Sequence, residues 1–279
     1  MFRKFPDNES CSHNVTLKVS EAKELDAVTV TMPTMSARRV QNECPMNPMG
    51  LKQFFLPEQF ERLRKLMVPV RAAAGSYLIL EGDPTGKLYY VISGTVKLRK
   101  STEDGKTFLL SLLQSDDLLY ESSDETNLTH SFSAEVSEDA ELGVLYWSEF
   151  EALLSRDGDF AIRFMKWLAL SHRATKSKFR DLLLYGKPGA LASTLIRLAN
   201  SYGIACADGI RISVKLTNAE IADFIGTTRE SVNRMLNGLK EDDIIDVKNG
   251  RIVIRELSAL RAICNCPDCP GCAKEICRI

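Results

Sequence analysis

The sequence predicts an α+β fold in three parts: a jelly roll of short β-strands, a long helix, and a unit of short helices with a β-hairpin. Short β-segments separated by turn residues recur at regular spacing between Val68 and Trp147, which is typical of a small barrel or jelly roll. A heptad pattern follows from Phe160 to Leu184. Helix-capping patterns then begin at Thr217 and Thr227.

Composition and charge limit the class of protein. The chain has 279 residues, of which 44% are hydrophobic, enough for one large or two ordinary domains. No apolar run is long enough to span a membrane, and residues 1–7 lack a signal-peptide pattern, so we expect a cytoplasmic protein without a membrane partner. The net charge is −1, but residues 187–262 carry 11 Lys/Arg against 9 Asp/Glu. That sign suits a nucleic-acid-binding module.

The first half reads as an extension followed by the jelly roll. We assign residues 1–50 to a poorly ordered extension and 51–156 to the jelly roll. The segments expected are a helix at 51–67, strands at 76–80, 87–100, 107–113, 131–136 and 141–146, and a helix at 148–154. Gly94 and Gly105 are expected in hairpin turns, and no Gly-rich phosphate loop or nucleophile–base pair appears. We therefore expect no enzyme activity.

A long helix at 157–185 carries two apolar faces. One face is a heptad seam, here called the seam: Ala161, Met165, Leu168, His172, Thr175, Phe179 and Leu182. Such a seam predicts a parallel homodimer, and burial within one subunit is the alternative. His172 and Thr175 are expected to fix the register, with His172 as a ligand the less favoured interpretation. Phe160, Phe164 and Trp167 lie off the seam and are expected to face the jelly roll.

Residues 186–263 predict a winged helix-turn-helix. Gly186, Pro188 and Gly189 mark the boundary, followed by a helix at 191–201, a strand at 210–214, a hairpin at 244–254 and a final helix at 256–263. Capping boxes are expected at Thr217/Glu220 and Thr227/Glu230, separated by Gly226. Two short helices joined by a three-residue, glycine-containing turn are typical of a helix-turn-helix.

The second helix of this motif carries side chains suited to base edges. The candidate DNA-binding residues are Thr228, Arg229, Glu230, Asn233 and Arg234. Each arginine can bind guanine O6/N7 in a bidentate fork, and Glu230 can accept from cytosine N4. A solvated helix face with i,i+4 ion pairs is the alternative. Ile221, Phe224, Val232, Met235 and Leu236 are expected in the core.

The tail at 264–279 holds five of the eight cysteines: Cys264, Cys266, Cys269, Cys272 and Cys277. The last three form a C-x2-C-x4-C pattern. The tail has too little apolar content to fold alone, so a metal, an iron–sulfur cluster or disulfides must hold it. Stable disulfides are unusual in the cytoplasm, which favours a metal or a cluster. Cys264 and Cys266 are spares that can replace one of the three.

The order of these parts, and the run from Leu216 to Lys240, resemble the cyclic-AMP receptor / fumarate-nitrate regulator (Crp/Fnr) family of bacterial transcription factors over about residues 52–263. The resemblance implies a cyclic-nucleotide-binding-like jelly roll, a homodimer on double-stranded DNA, and RNA polymerase as a partner. Arg229-Glu230 with Arg234 matches the cyclic-AMP receptor type and implies a palindrome of TGTGA-like half-sites, with centres about 10–11 base pairs apart. Asn233 stands where the fumarate-nitrate type has Ser.

The resemblance also guides the expected signal. Cyclic-nucleotide sensors of this family carry Arg for the phosphate, where this chain has Phe132, although Glu121 is kept. The tail resembles the Bacillus-type fumarate-nitrate regulators, which implies a [4Fe–4S] cluster on Cys269, Cys272 and Cys277. That type also implies an Asp near the end of the dimer helix as fourth ligand, which corresponds to Asp181.

Several alternatives stay open on spacing alone. Asp181 can instead be a solvated carboxylate paired with Lys178 or Lys176, with Asp268 or a fourth cysteine as rival ligands. The tail can hold structural zinc, with a small molecule in the jelly roll as the signal. The tail thiols can also form a redox switch. A haem sensor is a weaker alternative, because His13, His130 and His172 are the only histidines.

Overall fold

The structure, a computed structural model, describes residues 50–121, 129–266 and 277–279. These residues belong to one unit that spans Glu43–Ile279. The predictions for the N-terminal extension, and the ligand predictions for Cys269, Cys272 and Asp268, lie outside the described residues. Within the described part, no helix is long and apolar enough to cross a membrane.

The chain enters the jelly roll through a 3₁₀ turn and a helix. The turn spans Leu51–Phe54, and α1 spans Pro57–Leu66. The single helix predicted at 51–67 is therefore wrong. Pro57 has no amide hydrogen and occupies the first position of α1, where that hydrogen is not needed, so a new helix begins there.

The jelly roll is an antiparallel sheet of six strands. They are β1 (Val68–Ala72), β2 (Tyr77–Ile79), β3 (Lys87–Ser101), β4 (Thr107–Leu113), β5 (Leu118–Leu119) and β6 (Ser133–Tyr146), in the order β1-β6-β3-β4, with β2 on β6 and β5 on β3. The two strands predicted at 131–136 and 141–146 are one strand, β6. Its polar middle still pairs with β3, where Glu138 lies opposite Thr95.

Gly94 lies inside β3 and not in a hairpin turn. It adopts φ +89° at a register shift, and a Cβ there would lie 2.5 Å from the Asp139 carbonyl oxygen. A residue without a side chain is needed at such a close approach. Gly105 does lie in the predicted turn between β3 and β4, with φ +79°.

Side chains fill the interior of the jelly roll. The buried cluster consists of Ile79, Val91, Val96, Leu119, Phe132, Ala134, Val136, Ala140 and Leu142. Phe132, which stands where a nucleotide-binding relative would carry the phosphate Arg, is part of this cluster and is 9% exposed. The described interior is thus occupied by apolar side chains of the chain itself.

Two helices connect the jelly roll to the C-terminal unit. α2 spans Trp147–Arg156 and α3 spans Gly158–Leu184, and the Asp157 carboxylate caps α3 by accepting from the Phe160 amide at 3.0 Å. The prediction that Phe160, Phe164 and Trp167 face the jelly roll is confirmed, because all three are buried in a cluster with Leu88, Tyr90 and Leu145.

The seam is largely uncovered in the single chain. Met165 and Phe179 are 66% and 64% exposed, and His172 and Thr175 are exposed. Leu168 and Leu182 are half-buried against the neighbouring clusters. This exposure contradicts the alternative that the seam is buried within one subunit.

The C-terminal unit joins four helices to a small sheet. Its elements are α4 (Gly186–Tyr202), β7 (Gly203–Cys206), β8 (Gly209–Ile212), α5 (Asn218–Ile225), α6 (Arg229–Glu241), β9 (Ile245–Lys248), β10 (Arg251–Ile254) and α7 (Leu257–Ile263), with strand order β7-β8-β10-β9. α4 begins five residues before the predicted start at Leu191, because Pro188 fits the first turn of a helix. β7 was not predicted.

The jelly roll and the C-terminal unit share a core. Leu109 and Leu112 of β4 are buried in the same cluster as Leu195 and Phe224. Beside this cluster, Lys97 of β3 donates to the Glu220 carboxylate of α5 at 2.5 Å, with side chains 12% and 13% exposed. The orientation of α5 is therefore tied directly to the jelly roll.

Candidate nucleic-acid interface and metal centre

The turn between α5 and α6 is built from local hydrogen bonds. The Thr217 hydroxyl accepts from the Glu220 amide at 3.2 Å, and the Thr217 amide donates to the Glu220 carboxylate at 2.8 Å. This confirms the first capping box. Gly226 ends α5 in the left-handed conformation, with φ +61°. These contacts fix where each helix begins and ends.

The predicted second capping box at Thr227 and Glu230 is wrong. The cap of α6 is Thr228, whose hydroxyl accepts from the Ser231 amide at 3.2 Å. An N-cap hydroxyl bonds an amide two or three residues later, and α6 starts at Arg229, so Thr228 is the residue in position. Thr228 therefore sets the start of the helix that carries the other candidate residues.

Packing holds α6 so that one face is open. Val232 and Leu236 are buried against Ile221 and Phe224 of α5, and Met235 is half-buried, as predicted. On the opposite face Arg229, Glu230 and Arg234 are exposed, and Asn233 is half-buried. Within the described part of the chain neither arginine forms a salt bridge with Glu230, so the i,i+4 ion pairs of the alternative, a solvated helix face, are not formed.

The open face of α6 forms a shallow depression lined by Glu230, Asn233, Arg234, Asn237, Gly238 and Glu241. The Asn218 side chain of α5 reaches this face and donates a hydrogen bond to the Asn233 amide oxygen. Two guanidiniums, a carboxylate and an amide on one exposed helix face match the donors and acceptors of base edges in a major groove.

The Glu121 carboxylate of the jelly roll is bound by the protein itself. It lies 3.0 Å from Nδ1 of His130 and accepts from the Ser131 amide at 3.1 Å and the Ser131 hydroxyl at 2.6 Å. Burial raises the pKa of Glu121, but the hydrogen bonds from Ser131 and His130 outweigh it and bring the pKa below its usual value. The carboxylate therefore has three partners from its own chain.

Asp181 lies in a buried network between α3 and α4. It is 6% exposed and accepts from the Ser193 hydroxyl and from Nη2 of Arg197, both at 2.5 Å, and from Nη2 of Arg180 at 2.7 Å. Burial raises the pKa of Asp181, but these hydrogen bonds hold it below its usual value. The alternative of a solvated carboxylate paired with Lys178 or Lys176 is wrong, because Asp181 is buried and its partners are Arg180 of α3 and two residues of α4.

The end of the chain lies against α4 beside this network. Nη1 of Arg197 donates to the Arg278 carbonyl at 3.2 Å, and the Asn200 side-chain amide donates to the Cys277 carbonyl at 2.8 Å. Arg197 thus contacts both Asp181 and the residue next to Cys277. Asp181 and the end of the tail are therefore held at one place.

The described cysteines of the tail differ in how deeply they are buried. Cys264 is 4% exposed, and burial, with the nearby Cys266 and Asp181, raises the pKa of its thiol to about 11. Cys266 and Cys277 are half-buried and pack against the same core cluster as Cys264. No three metal-binding side chains converge among the residues that the structure describes. Cys269 and Cys272, which follow Cys266 by a few residues, lie outside them.

Three residues that contact the candidate site residues were not predicted from the sequence: Ser193, Arg197 and Asn218. Ser193 and Arg197 are four residues apart on α4, on a face that also buries Ala190 and lies opposite Leu191 and Leu195. Two polar residues at i,i+4 on an apolar helix face are a signal of a buried partner. Asn218 carried no such signal, because its partner lies on another helix.

The arrangement defines a class of protein: a winged helix-turn-helix DNA-binding regulator joined to a jelly-roll domain through a long helix. Two family models match the chain, the Crp-like helix-turn-helix domain over residues 189–263 and the cyclic nucleotide-binding domain over residues 69–157.

Similar proteins agree with this class. The chain is 39% identical to the anaerobic regulatory protein of Bacillus subtilis, over 79% of this chain and 92% of that protein. It is 26% identical to the CRP-like cAMP-activated global transcriptional regulator of Mycobacterium tuberculosis, over 76% of this chain and 94% of that protein. The structure of FixK2 from Bradyrhizobium japonicum has the same fold, with TM-score 0.62 and 20% identity over 71% of this chain and 96% of that one.

The chain belongs to the Crp/Fnr family of DNA-binding transcription regulators. It is a regulator and not an enzyme, as the sequence predicted.

Proposed function

We propose that this chain is an oxygen-responsive regulator that binds a palindrome of TGTGA-like half-sites as a homodimer and senses oxygen through a [4Fe–4S] cluster on its C-terminal cysteines. The observation that carries the proposal is the convergence of tail and dimer helix: Arg197 contacts both the Asp181 carboxylate and the residue beside Cys277. The printed name of the Bacillus subtilis relative, an anaerobic regulatory protein, supports an oxygen-linked role.

The jelly roll lacks features of a cyclic-nucleotide site, which supports a signal that is sensed in another part of the chain. Phe132 is buried in its interior, and a cyclic phosphate beside an apolar side chain would lack a compensating cation. Glu121 is engaged by His130 and Ser131. The described part of the jelly roll therefore does not offer the charge pair that a cyclic nucleotide needs.

The residues in and around the tail have side chains of the types that could bind an iron–sulfur cluster. Cys269, Cys272 and Cys277 would supply three thiolates, and Asp181 would supply a carboxylate for the remaining iron. Cys264 is the poorer spare, since ligands bind as thiolates and burial raises the pKa of Cys264 to about 11. Cys266, which is half-buried, is the better one.

A ligand role for Asp181 requires an exchange of partners. Both of its oxygens accept hydrogen bonds, from Arg180 on one side and from Ser193 and Arg197 on the other. One oxygen must leave its guanidinium before it can bind iron. When bound, a cluster would supply an oxygen-labile link between the tail and α3.

That link would set the position of the DNA-reading helices. The tail follows α7 of the DNA-binding unit, whereas Asp181 belongs to α3, whose exposed seam supports the dimer. Joining them fixes α6 relative to the two-fold axis. A difference of about 1–3 kcal/mol between the linked and unlinked states is enough for a 5- to 150-fold change in operator affinity. RNA polymerase is the partner we propose for the DNA-bound dimer.

Metal content tests the proposal directly. Full-length protein purified without oxygen is expected to contain about four iron and four sulfide per protomer, with a visible absorbance that bleaches in air. Cys272→Ser and Asp181→Asn are expected to lower the iron and sulfide content. Cys206→Ser is the matched control, because Cys206 lies on β7 of the small sheet, and its content is expected to equal that of the wild type.

The two alternative hypotheses, a structural-zinc tail and a thiol switch, predict different results in this experiment. Stoichiometric zinc without sulfide would contradict the cluster and support a structural-zinc tail. Metal-free protein whose tail thiols disappear on exposure to air would support a thiol switch instead.

A further inference from the structure

A side-chain hydrogen bond joins the two helices of the DNA-binding motif on its open face. Asn218 is the first residue of α5, and its side-chain amide donates to Oδ1 of Asn233, in the second turn of α6. Both residues are half-buried. Asn218 follows the Thr217 cap, whose hydrogen bonds with Glu220 fix the start of α5. The donor is therefore presented from a fixed point of the backbone.

This hydrogen bond determines which end of the Asn233 amide faces outward. A primary amide has an oxygen that accepts and an NH₂ group that donates. With its oxygen directed to Asn218, Asn233 presents its NH₂ group on the depression that it shares with Glu230 and Arg234. An asparagine that is free to turn can read adenine in bidentate fashion, with both ends of the amide. Asn233 is restricted to donation.

We propose that Asn218 is a positioning residue that fixes the Asn233 amide as a hydrogen-bond donor, and that Asn233 thereby selects one base pair of the half-site. The selected base pair presents an acceptor in the major groove, guanine O6/N7 or thymine O4. Cytosine, which presents only its N4 amino group there, is disfavoured, and adenine can offer N7 alone. The inference rests on the DNA-binding face proposed above and adds a specificity rule to it.

The rule has a distinctive consequence for substitution at Asn218. Asn218→Asp can only accept, so the Asn233 NH₂ group would turn toward it and the Asn233 oxygen would face the groove. The preferred base at that position would change from an acceptor to a donor. Asn218→Ala would leave the amide free and weaken the preference. An acidic residue is favourable in the first turn of a helix, so Asn218→Asp is not expected to prevent folding.

The test measures base preference and not affinity alone. Full-length dimer, in whichever of the anaerobic and air-exposed preparations binds DNA, is titrated against duplexes in which each half-site position is varied symmetrically. The wild type is expected to favour a guanine or thymine over a cytosine at one position by about 5-fold or more. Asn218→Ala and Asn233→Ala should each reduce that preference. Their double variant should be no worse than Asn233→Ala, because coupled residues are not additive.

The controls separate positioning from a merely structural role. Lys240→Ala, at an exposed position of α6 outside the depression, is expected to leave the preference at that position unchanged. A general loss of affinity with Asn218→Ala, equal for all sequences and accompanied by a lower Tm, would overturn the proposal. So would an Asn218→Asp variant with the wild-type base preference. Wild-type protein that selects no palindrome at all would instead overturn the DNA-binding face on which the proposal rests.

Discussion

At the residue scale, a few positions determine the geometry of the DNA-binding motif. Gly226 ends α5 in the left-handed conformation, and Thr228 caps α6 two residues later. Both residues are exposed, yet they determine where α5 ends and where α6 begins. Their contribution comes from backbone conformation and hydrogen bonding, which local sequence can encode.

Gly226→Ala is expected to lower the free energy of unfolding by about 1 kcal/mol, because a Cβ disfavours the left-handed conformation. No atom lies within 4 Å of the Cβ position, so the cost is conformational and not steric. Gly238→Ala is the matched control. Gly238 lies within α6 and also has no atom within 4 Å, so alanine there should stabilise by about 0.5–1 kcal/mol. Denaturant unfolding of both variants measures the difference, and effects of the same sign would contradict this account.

At the scale of elements, the contact between β3 and α5 couples the two domains. Glu220 caps α5 and also accepts from Lys97, and Arg99 lies 3.3 Å from the same carboxylate. Burial raises the pKa of Glu220, but the hydrogen bonds from Lys97 and Thr217 outweigh it, and the pKa lies below the ordinary 4.5. One carboxylate thus links helix capping to domain docking.

Lys97→Met is expected to lower the free energy of unfolding near neutral pH by about 1.5–3 kcal/mol, the range for a hydrogen bond to a charged group. Because the pKa of Glu220 is lower in the folded state, its contribution is present above pH 4.5 and is lost as the pH falls through the folded-state value. The difference between variant and wild type should therefore shrink on acidification. Urea unfolding at several pH values measures it.

The control is Lys106→Met, which removes an ion pair with Asp104 whose side chains are 81% and 57% exposed. Exposed pairs contribute little, so its stability should match the wild type at every pH. A pH-independent effect of Lys97→Met would contradict the role assigned to Glu220.

The elements show which parts of the fold local sequence could predict. The capping box at Thr217, the turn at Gly226 and the hairpin at 244–254 depend on residues close in the chain, and they are where the sequence predicted them. The start of α1 at Pro57 could also have been predicted from the sequence, because proline favours the first position of a helix. The continuity of β6 depends on pairing with β3, which a polar stretch in one strand does not reveal.

The candidate site was less predictable than the fold, since its contacts join distant parts of the chain. The resemblance to a known family predicted Asp181 as a ligand, but its buried environment depends on contacts with Ser193 and Arg197 of α4. Lys97 and Glu220 are 123 residues apart. Neither contact has a periodicity or a spacing that a single sequence can show.

At the scale of the whole molecule, three surfaces of the chain meet near one junction. The seam of α3 lies open for a second copy, β4 is buried against α4 and α5, and the tail is bound to α4 beside Asp181. Under the function proposed above, a change at the tail would reach α6 through α4 and α7 and would not pass through the interior of the jelly roll.

Operator affinity before and after exposure to oxygen tests the central claim most directly. Anaerobic full-length protein is titrated against a TGTGA palindrome, exposed to air, and titrated again, with Cys272→Ser treated identically. The account predicts a 5- to 150-fold change in Kd for the wild type and no change for Cys272→Ser, whose affinity should match the air-exposed wild type. An equal affinity of the wild type before and after air, or the same change in Cys272→Ser, would contradict it.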